Sequence, residues 1–158
     1  MVLSDGRILI ADCWNDRICM LSADLQQVTT VAGAGTRGYR DGAAAQATFY
    51  YPSGLAVLPD GRVLVSQDHC IRVLSADLQE VTTVAGTGAE GHQDGAGAQA
   101  RFYCPRGMLV LPDNRVLVAD LWNDRILVLS ADLQEVTTEA GGGDGGTGMR
   151  QHRPGSLA

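Results

Sequence analysis

The chain has 158 residues, 45% hydrophobic and 19% charged, enough for one soluble domain with its own core and too few for two independent ones. Twelve Arg, no Lys and 18 acidic residues give a formal net charge of -6, a field that repels phosphate backbones and anionic membranes. The missing Lys excludes Schiff-base chemistry and a phosphate-binding P-loop, while 20 Gly beside 5% aromatics point to many tight turns between small units.

In chain order, the first ten residues carry no basic run and no long apolar stretch, which predicts neither a signal peptide nor a membrane anchor and hence a cytoplasmic location. Residues 11–18, Ala-Asp-Cys-Trp-Asn-Asp-Arg-Ile, return as residues 119–126 with one change. Between them, residues 21–67 and 74–120 align without a gap at a period of 53, matching at 32 of 47 positions. A period of this size built from several short apolar runs is the mark of propeller blades rather than helical solenoids.

Four strands, A to D, are predicted in one unit at 54–58, 62–65, 71–74 and 81–84, with equivalents at 107–111, 115–119, 126–129 and 136–138. Runs such as Ile126-Leu-Val-Leu are continuously apolar, which implies a sheet buried on both faces, as when blades stack flank to flank. Pro59-Asp-Gly, Pro112-Asp-Asn and Ser4-Asp-Gly fit A-to-B turns whose last residue takes positive φ. Ser22, Ser75 and Ser130 open Ser-Ala-Asp-Leu-Gln turns in which Asp24, Asp77 and Asp132 should bond the backbone. Antiparallel parity puts the B-to-C loops and the long D-to-A linkers, 33–53 and 86–106, on one shared face. Asp41 and Asp94 are predicted to cap a short helical turn there, pinned by Phe49 or Phe102.

The ordered recurrence of Val-Ala-Gly-x-Gly, Asp-Gly, Ala-x-Phe-x-x-Pro, Pro-Asp-Gly and Trp-Asn-Asp-Arg-Ile resembles NHL repeats over about residues 1–140. The resemblance implies an all-β fold: a partial six-bladed-type β-propeller of about three four-stranded antiparallel blades, the first lacking its inner strand. Its Ala-Asp-x-x-Asn-x-Arg-Ile signature falls on Asp12, Asn15 and Arg17, and on Asp120, Asn123 and Arg125. A structural role is expected for these, Asp and Asn capping a tight loop and Arg laying its stem across the blade. The middle unit, Ser66-Gln-Asp-His-Cys-Ile, is two residues shorter and lacks that Asn and Arg.

Trp14 and Trp122 occupy the same loop position and are candidate anchors for a partner, together with Arg37, Arg40, Tyr50, Tyr103 and Arg106 on the long-loop face. No cofactor is expected: the G-x-G-x-x-G runs at Gly33 and Gly86 recur once per unit with no βαβ element after them. His69, His92 and His152 stand at unrelated repeat positions, so no metal site is expected, and the four scattered Cys read as free thiols. The resemblance also implies two alternatives, a metal-dependent propeller hydrolase acting on lactones or esters and an RNA-binding propeller. Against the first, Tyr51-Pro-Ser53 and Cys104-Pro-Arg106 at the start of strand A offer no Asp, Glu or Asn. Against the second, Arg37, Arg40, Arg101 and Arg106 lie amid Asp41, Glu90 and Asp94.

Six such units need roughly 320 residues, so about half a ring is present, and its two free flanks would leave roughly 8 kcal/mol of apolar burial unmade. The chain is therefore expected either to be a fragment of a longer propeller or to close by pairing with a second copy. The function expected is a non-catalytic protein-interaction scaffold whose partner the sequence does not identify, with no membrane and no nucleic acid as partner. The Gly-rich stretch 141–158 is expected to be a disordered tail.

Overall fold

The computed structural model describes residues 1–142, and the tail expected beyond them lies outside the described residues. Strands β1 (Ile8–Asp12), β2 (Arg17–Leu21) and β3 (Val28–Ala32) form a three-stranded antiparallel sheet. A second sheet takes β4 (Gly42–Ala43), β5 (Pro52–Val57), β6 (Val63–Gln67), β7 (Cys70–Leu74) and β8 (Glu80–Ala85) in the order β4-β8-β7-β6-β5. The third repeats that plan with β9 (Gly95–Ala96), β10 (Pro105–Val110), β11 (Val116–Asp120), β12 (Arg125–Leu129) and β13 (Glu135–Gly141). Each sheet is a blade. Predicted strands A to D fall on β5–β8 and β10–β13, and the first blade lacks strand A save for one antiparallel bridge between Val2 and Ile8.

Two local expectations need correction. The full blades are five-stranded, because each preceding linker lays a two-residue strand, β4 or β9, along the outer edge of strand D. A Gly-Ala pair has no apolar alternation by which to announce itself. Nor do Asp41 and Asp94 cap a helix: the three-residue 3-10 turn Gly97–Gln99 starts after Ala96, without a side-chain cap. Instead Asp41 accepts the Thr83 backbone N–H at 2.9 Å and its hydroxyl at 3.0 Å, and Asp94 holds Thr138 in the same way at 2.8 and 2.9 Å. Both carboxylates serve the bulge that interrupts strand D beside strand C, where the ladder leaves a backbone N–H to be satisfied.

The hairpin chemistry follows the sequence closely. Asp60 accepts the Arg62 N–H at 3.0 Å and pairs with its guanidinium at 2.8 Å, while Gly61 and its counterpart Asn114 take φ of 86° and 68°. At the other hairpin Asp24, Asp77 and Asp132 each accept a backbone N–H two residues on, and the Leu between stands at φ 61–63°. Left-handed Leu is costly, about 1 kcal/mol or more, so the Ser and Asp side chains before it, which accept the N–H groups that follow it, must hold it there.

The hydrophobic core lies between blades rather than within them. Leu9, Ile18 and Ala32 of the first blade meet Val63, Val65, Leu74 and Val81 of the second, with Phe49 of the linker between. Leu64, Ile71, Val73 and Ala85 on the opposite face of the second blade meet Val116, Val118, Leu127, Leu129 and Val136 of the third, with Phe102 between. Alternate residues of β6 thus serve opposite seams, which is why every residue of β6 and β7 is buried and why Val63-Leu-Val runs apolar without alternation. At the inner strands the second seam closes on Gly54, where a Cβ would overlap the Arg106 carbonyl, and the Ser66 hydroxyl donates to that carbonyl at 2.9 Å.

Candidate binding face

The B-to-C loops and D-to-A linkers do share one face, and the linkers bring aromatic side chains onto it. Each linker ends in a left-handed residue, Tyr51 at φ 50° and Cys104 at φ 59°, that turns the chain into strand A. These positions are held by the preceding blade: the Tyr51 N–H donates to Asp16 at 3.0 Å, and the Cys104 N–H to the Asp68 carbonyl at 2.8 Å. The turn leaves Tyr50, Tyr51 and Tyr103 half-buried at the rim.

From there the rings form two clusters, joined through the Asp68 carboxylate, that together reach across all three blades. Trp14 meets Tyr51 edge-on at 5.5 Å between centroids, Tyr51 stacks on Tyr50 at 4.9 Å, and Tyr50 meets Tyr39 at 5.9 Å. The Tyr39 hydroxyl donates to Asp68 at 2.6 Å, His69 Nε2 lies 3.2 Å from the same carboxylate, His69 meets Tyr103 at 5.5 Å, and Tyr103 stacks on Trp122 at 5.9 Å. Burial first, and then the Asp68 carboxylate, push the Tyr39 phenol well above its ordinary value, so it remains a proton donor at any physiological pH. Trp14 and Trp122 at the two ends are 79% and 53% exposed.

Of the candidates named from sequence, Trp14, Arg37 and Tyr50 come together, as do Tyr103 and Trp122. The Arg37 guanidinium lies 4.4 Å from the Tyr51 ring centre and 5.6 Å from that of Tyr50, and its Nε reaches Asp16 at 3.2 Å. Arg40 folds back to donate to the Gln46 carbonyl, and Arg106 is exposed on the inner strand; among the described residues neither makes a ring contact. Sequence reasoning passed over Tyr39, Tyr51, Asp68 and His69. Tyr39 stands where the next linker has His92, and Asp68 and His69 belong to the shortened loop, so no recurrent motif marks them.

The repeat signature sits at the base of this face. Asn15 donates to both Asp12 oxygens at 3.0 and 2.9 Å; Asn123 donates to Asp120 at 2.6 Å and to the Gly91 carbonyl at 2.8 Å. Asp120 also accepts the Tyr103 N–H at 2.8 Å, which ties that loop to the linker, and the Arg125 guanidinium reaches the Gly142 carbonyl at 3.3 Å. In the second blade the signature Arg is replaced by Cys70, and a different arginine, Arg72, takes over the bracing. Fully buried on strand C, it donates to the Thr48 and Arg40 carbonyls at 2.9 Å each and to Asp41 at 2.6 Å, with Phe49 beneath its guanidinium. It thereby fastens the first linker to the blade wall. Among the described residues no group of three His, Cys, Asp or Glu is placed to hold a metal ion, and no helix is long and apolar enough to cross a membrane.

No family model matches the chain. Over 97 residues, 61% of this chain, it is 34% identical to NHL repeat-containing protein 2 of Gallus gallus; over 91 residues, 56% of the chain, it is 33% identical to Protein SUPPRESSOR OF QUENCHING 1, chloroplastic, of Arabidopsis thaliana. The chain spans only 13% and 9% of the length of these relatives. A solved protein of unknown function from Bacteroides thetaiotaomicron shares the fold with a TM-score of 0.72 at 23% identity, over 85% of this chain and 33% of that one. Repeat order and seamed blades make the described residues a partial β-propeller of about three blades, and over about three fifths of its length the chain is similar to NHL repeat-containing proteins.

Proposed function

We propose that the ring-lined loop face binds a protein partner and that the chain acts as a non-catalytic interaction scaffold. The observation that carries this reading is the pair of ring clusters joined through Asp68, whose outer ends, Trp14 and Trp122, are exposed. Large rigid rings held by neighbouring rings lose little entropy on binding, and Trp, Tyr and Arg are the residues that dominate interface energetics. Arg37, Asp68 and His69 set polar groups among the rings, as a protein-binding surface needs for specificity.

Peptides selected from a random display library against the folded chain test the proposal. Binders should lose about 30-fold in affinity to the Trp14→Ala or Trp122→Ala chain, the loss expected of an anchoring residue. Trp14 is so exposed that its removal should leave the far-ultraviolet spectrum unchanged. Binders indifferent to both substitutions would overturn the assignment of the face.

A further inference from the structure

An arginine set between an aromatic ring and a carboxylate occurs twice in this chain. The Arg37 guanidinium lies 4.4 Å from the centre of the Tyr51 ring with its Nε 3.2 Å from Asp16. That of Arg72 lies 5.1 Å from the centre of Phe49 and donates to Asp41 at 2.6 Å. Each arrangement fastens the first linker to a blade, Arg37 to the loop after β1 and Arg72 to β7. A planar guanidinium suits such a place because it donates in its plane to the carboxylate while its face rests on the ring.

A third meeting of rings and carboxylate involves no arginine of this chain. Asp68 stands in the two-residue turn between β6 and β7, where the neighbouring blades carry three-residue 3-10 turns with Trp14 and Trp122. The shorter turn makes a notch in the loop face over the second blade. Tyr39, His69 and Tyr103 surround Asp68 there, and the second linker approaches Tyr39 at Gly88, where a Cβ would lie 3.8 Å from the ring. The Tyr39 hydroxyl and His69 Nε2 both bear on the same oxygen of Asp68, Oδ2, at 2.6 and 3.2 Å. Among the described residues no group donates to Oδ1, and no arginine pairs with Asp68 or lies over Tyr39 or Tyr103. The Asp68 side chain is 17% exposed, so its carboxylate is largely withdrawn from water and still reachable. All four residues lie in the second blade or the two linkers that bound it, away from both outer flanks.

We propose that this notch takes an arginine side chain of a protein partner, the guanidinium donating to Asp68 Oδ1 and resting against the Tyr39 or Tyr103 ring. The proposal rests on the reading of the loop face as a protein-binding surface and names what the partner brings to it. Charge complementarity selects the occupant: the chain has a net charge of -6, and Arg37, the cation on the adjoining rings, is committed to Asp16. Arginine suits the notch better than lysine, because a strongly hydrated ammonium must choose between ring face and carboxylate where the guanidinium serves both.

The probe is N-acetyl-arginine N-methylamide, titrated into the isotopically labelled 158-residue chain and followed by amide chemical shifts. Saturable shifts centred on Tyr39, Asp68, His69 and Tyr103 are expected, with a dissociation constant on the order of 10 mM. The citrulline analogue, which keeps the shape and drops the charge, should bind about fivefold more weakly or worse, and the lysine analogue about threefold more weakly. Asp68→Asn should bring arginine down to the level of citrulline, whereas Asp113→Asn, which removes the same charge from the hairpin between β10 and β11, should leave the titration unchanged. The citrulline comparison requires no change in the protein, so the outcome does not depend on how a variant folds. Equal binding of arginine and citrulline, shifts scattered over the acidic surface without saturation, or no shift at about 100 mM would overturn the proposal. Free L-arginine bound about tenfold more tightly than the capped probe would assign the notch to a free amino acid and overturn the choice of a protein segment. Library peptides that need Trp14 yet bind undiminished to the Asp68→Asn chain would overturn the arginine assignment alone. Arginine shifts at Asp68 beside peptides indifferent to Trp14 and Trp122 would support the notch and overturn the anchoring role of the tryptophans.

Discussion

One residue type at one repeat position, in three surroundings, tests whether the seams carry the stability. Ile18 and Ile71 are fully buried beneath a linker ring, whereas Ile126, their equivalent, is 39% exposed in an open cleft. Truncating a fully buried Ile to Ala removes its transfer free energy and leaves a cavity, together about 3 kcal/mol within a range of ~2–5 kcal/mol. At Ile126 about three fifths of the side chain is withdrawn from water and solvent can occupy the space vacated, so the cost should be about 1 kcal/mol. With a urea slope of roughly 1.5 kcal/mol/M, Ile18→Ala and Ile71→Ala should each lower the unfolding midpoint by about 2 M, and Ile126→Ala by less than about 1 M. The slopes must stay equal for the comparison to hold. Should Ile126→Ala prove as damaging as Ile71→Ala, the cleft is covered in solution and the reasoning from exposure fails.

Gly54→Ala should cost at least ~3 kcal/mol, since its Cβ would overlap the backbone carbonyl of Arg106, whereas Gly107→Ala, whose Cβ would lie 3.7 Å from Ala119, should be nearly silent; thermal melts of the pair decide. Hydrogen bonds from the following Arg hold Asp5, Asp60 and Asp113 below the ordinary carboxylate value, and those from Ser22, Ser75 and Ser130 do the same for Asp24, Asp77 and Asp132. A lowered folded value stabilises above the unfolded one and is lost as pH falls through it, so the melting temperature should hold from pH 7 to 5 and drop below about pH 4; a flat profile down to pH 3 would contradict the turn assignments. Burial pushes the Cys70 thiol up to about 12, so iodoacetamide at pH 8 should leave it unmodified in the native chain and alkylate it in urea, as peptide mass mapping would show.

The blades were legible because the sequence states them more than once: the Val-Leu-Val runs that open β6 and β11 and the Asp-Gly and Asp-Asn turns each recur with their spacing intact. What escaped were features whose residues carry no pattern of their own. The short strands β4 and β9 are Gly-Ala pairs whose pairing is decided by the edge they lie on. Asp41 was misread because an Asp before small residues suits a helix start, yet the unpaired N–H of a bulge 42 residues away competes for it and wins. Arg72 looks like a polar interruption of a strand until the linker carbonyls of Arg40 and Thr48 are seen around it. The candidate face was half legible: Trp14 and Trp122 are repeat positions, but the bridge through Tyr39, Asp68 and His69 rests on contacts made across blades by residues that do not repeat.

With the apolar interior confined to joints between neighbours, cohesion is modular, with no central mass holding the whole. A charge set into one joint, a heavier lesion than the loss of a few methyl groups, should split unfolding into steps, the half beyond the lesion loosening while the other keeps its protection against hydrogen exchange.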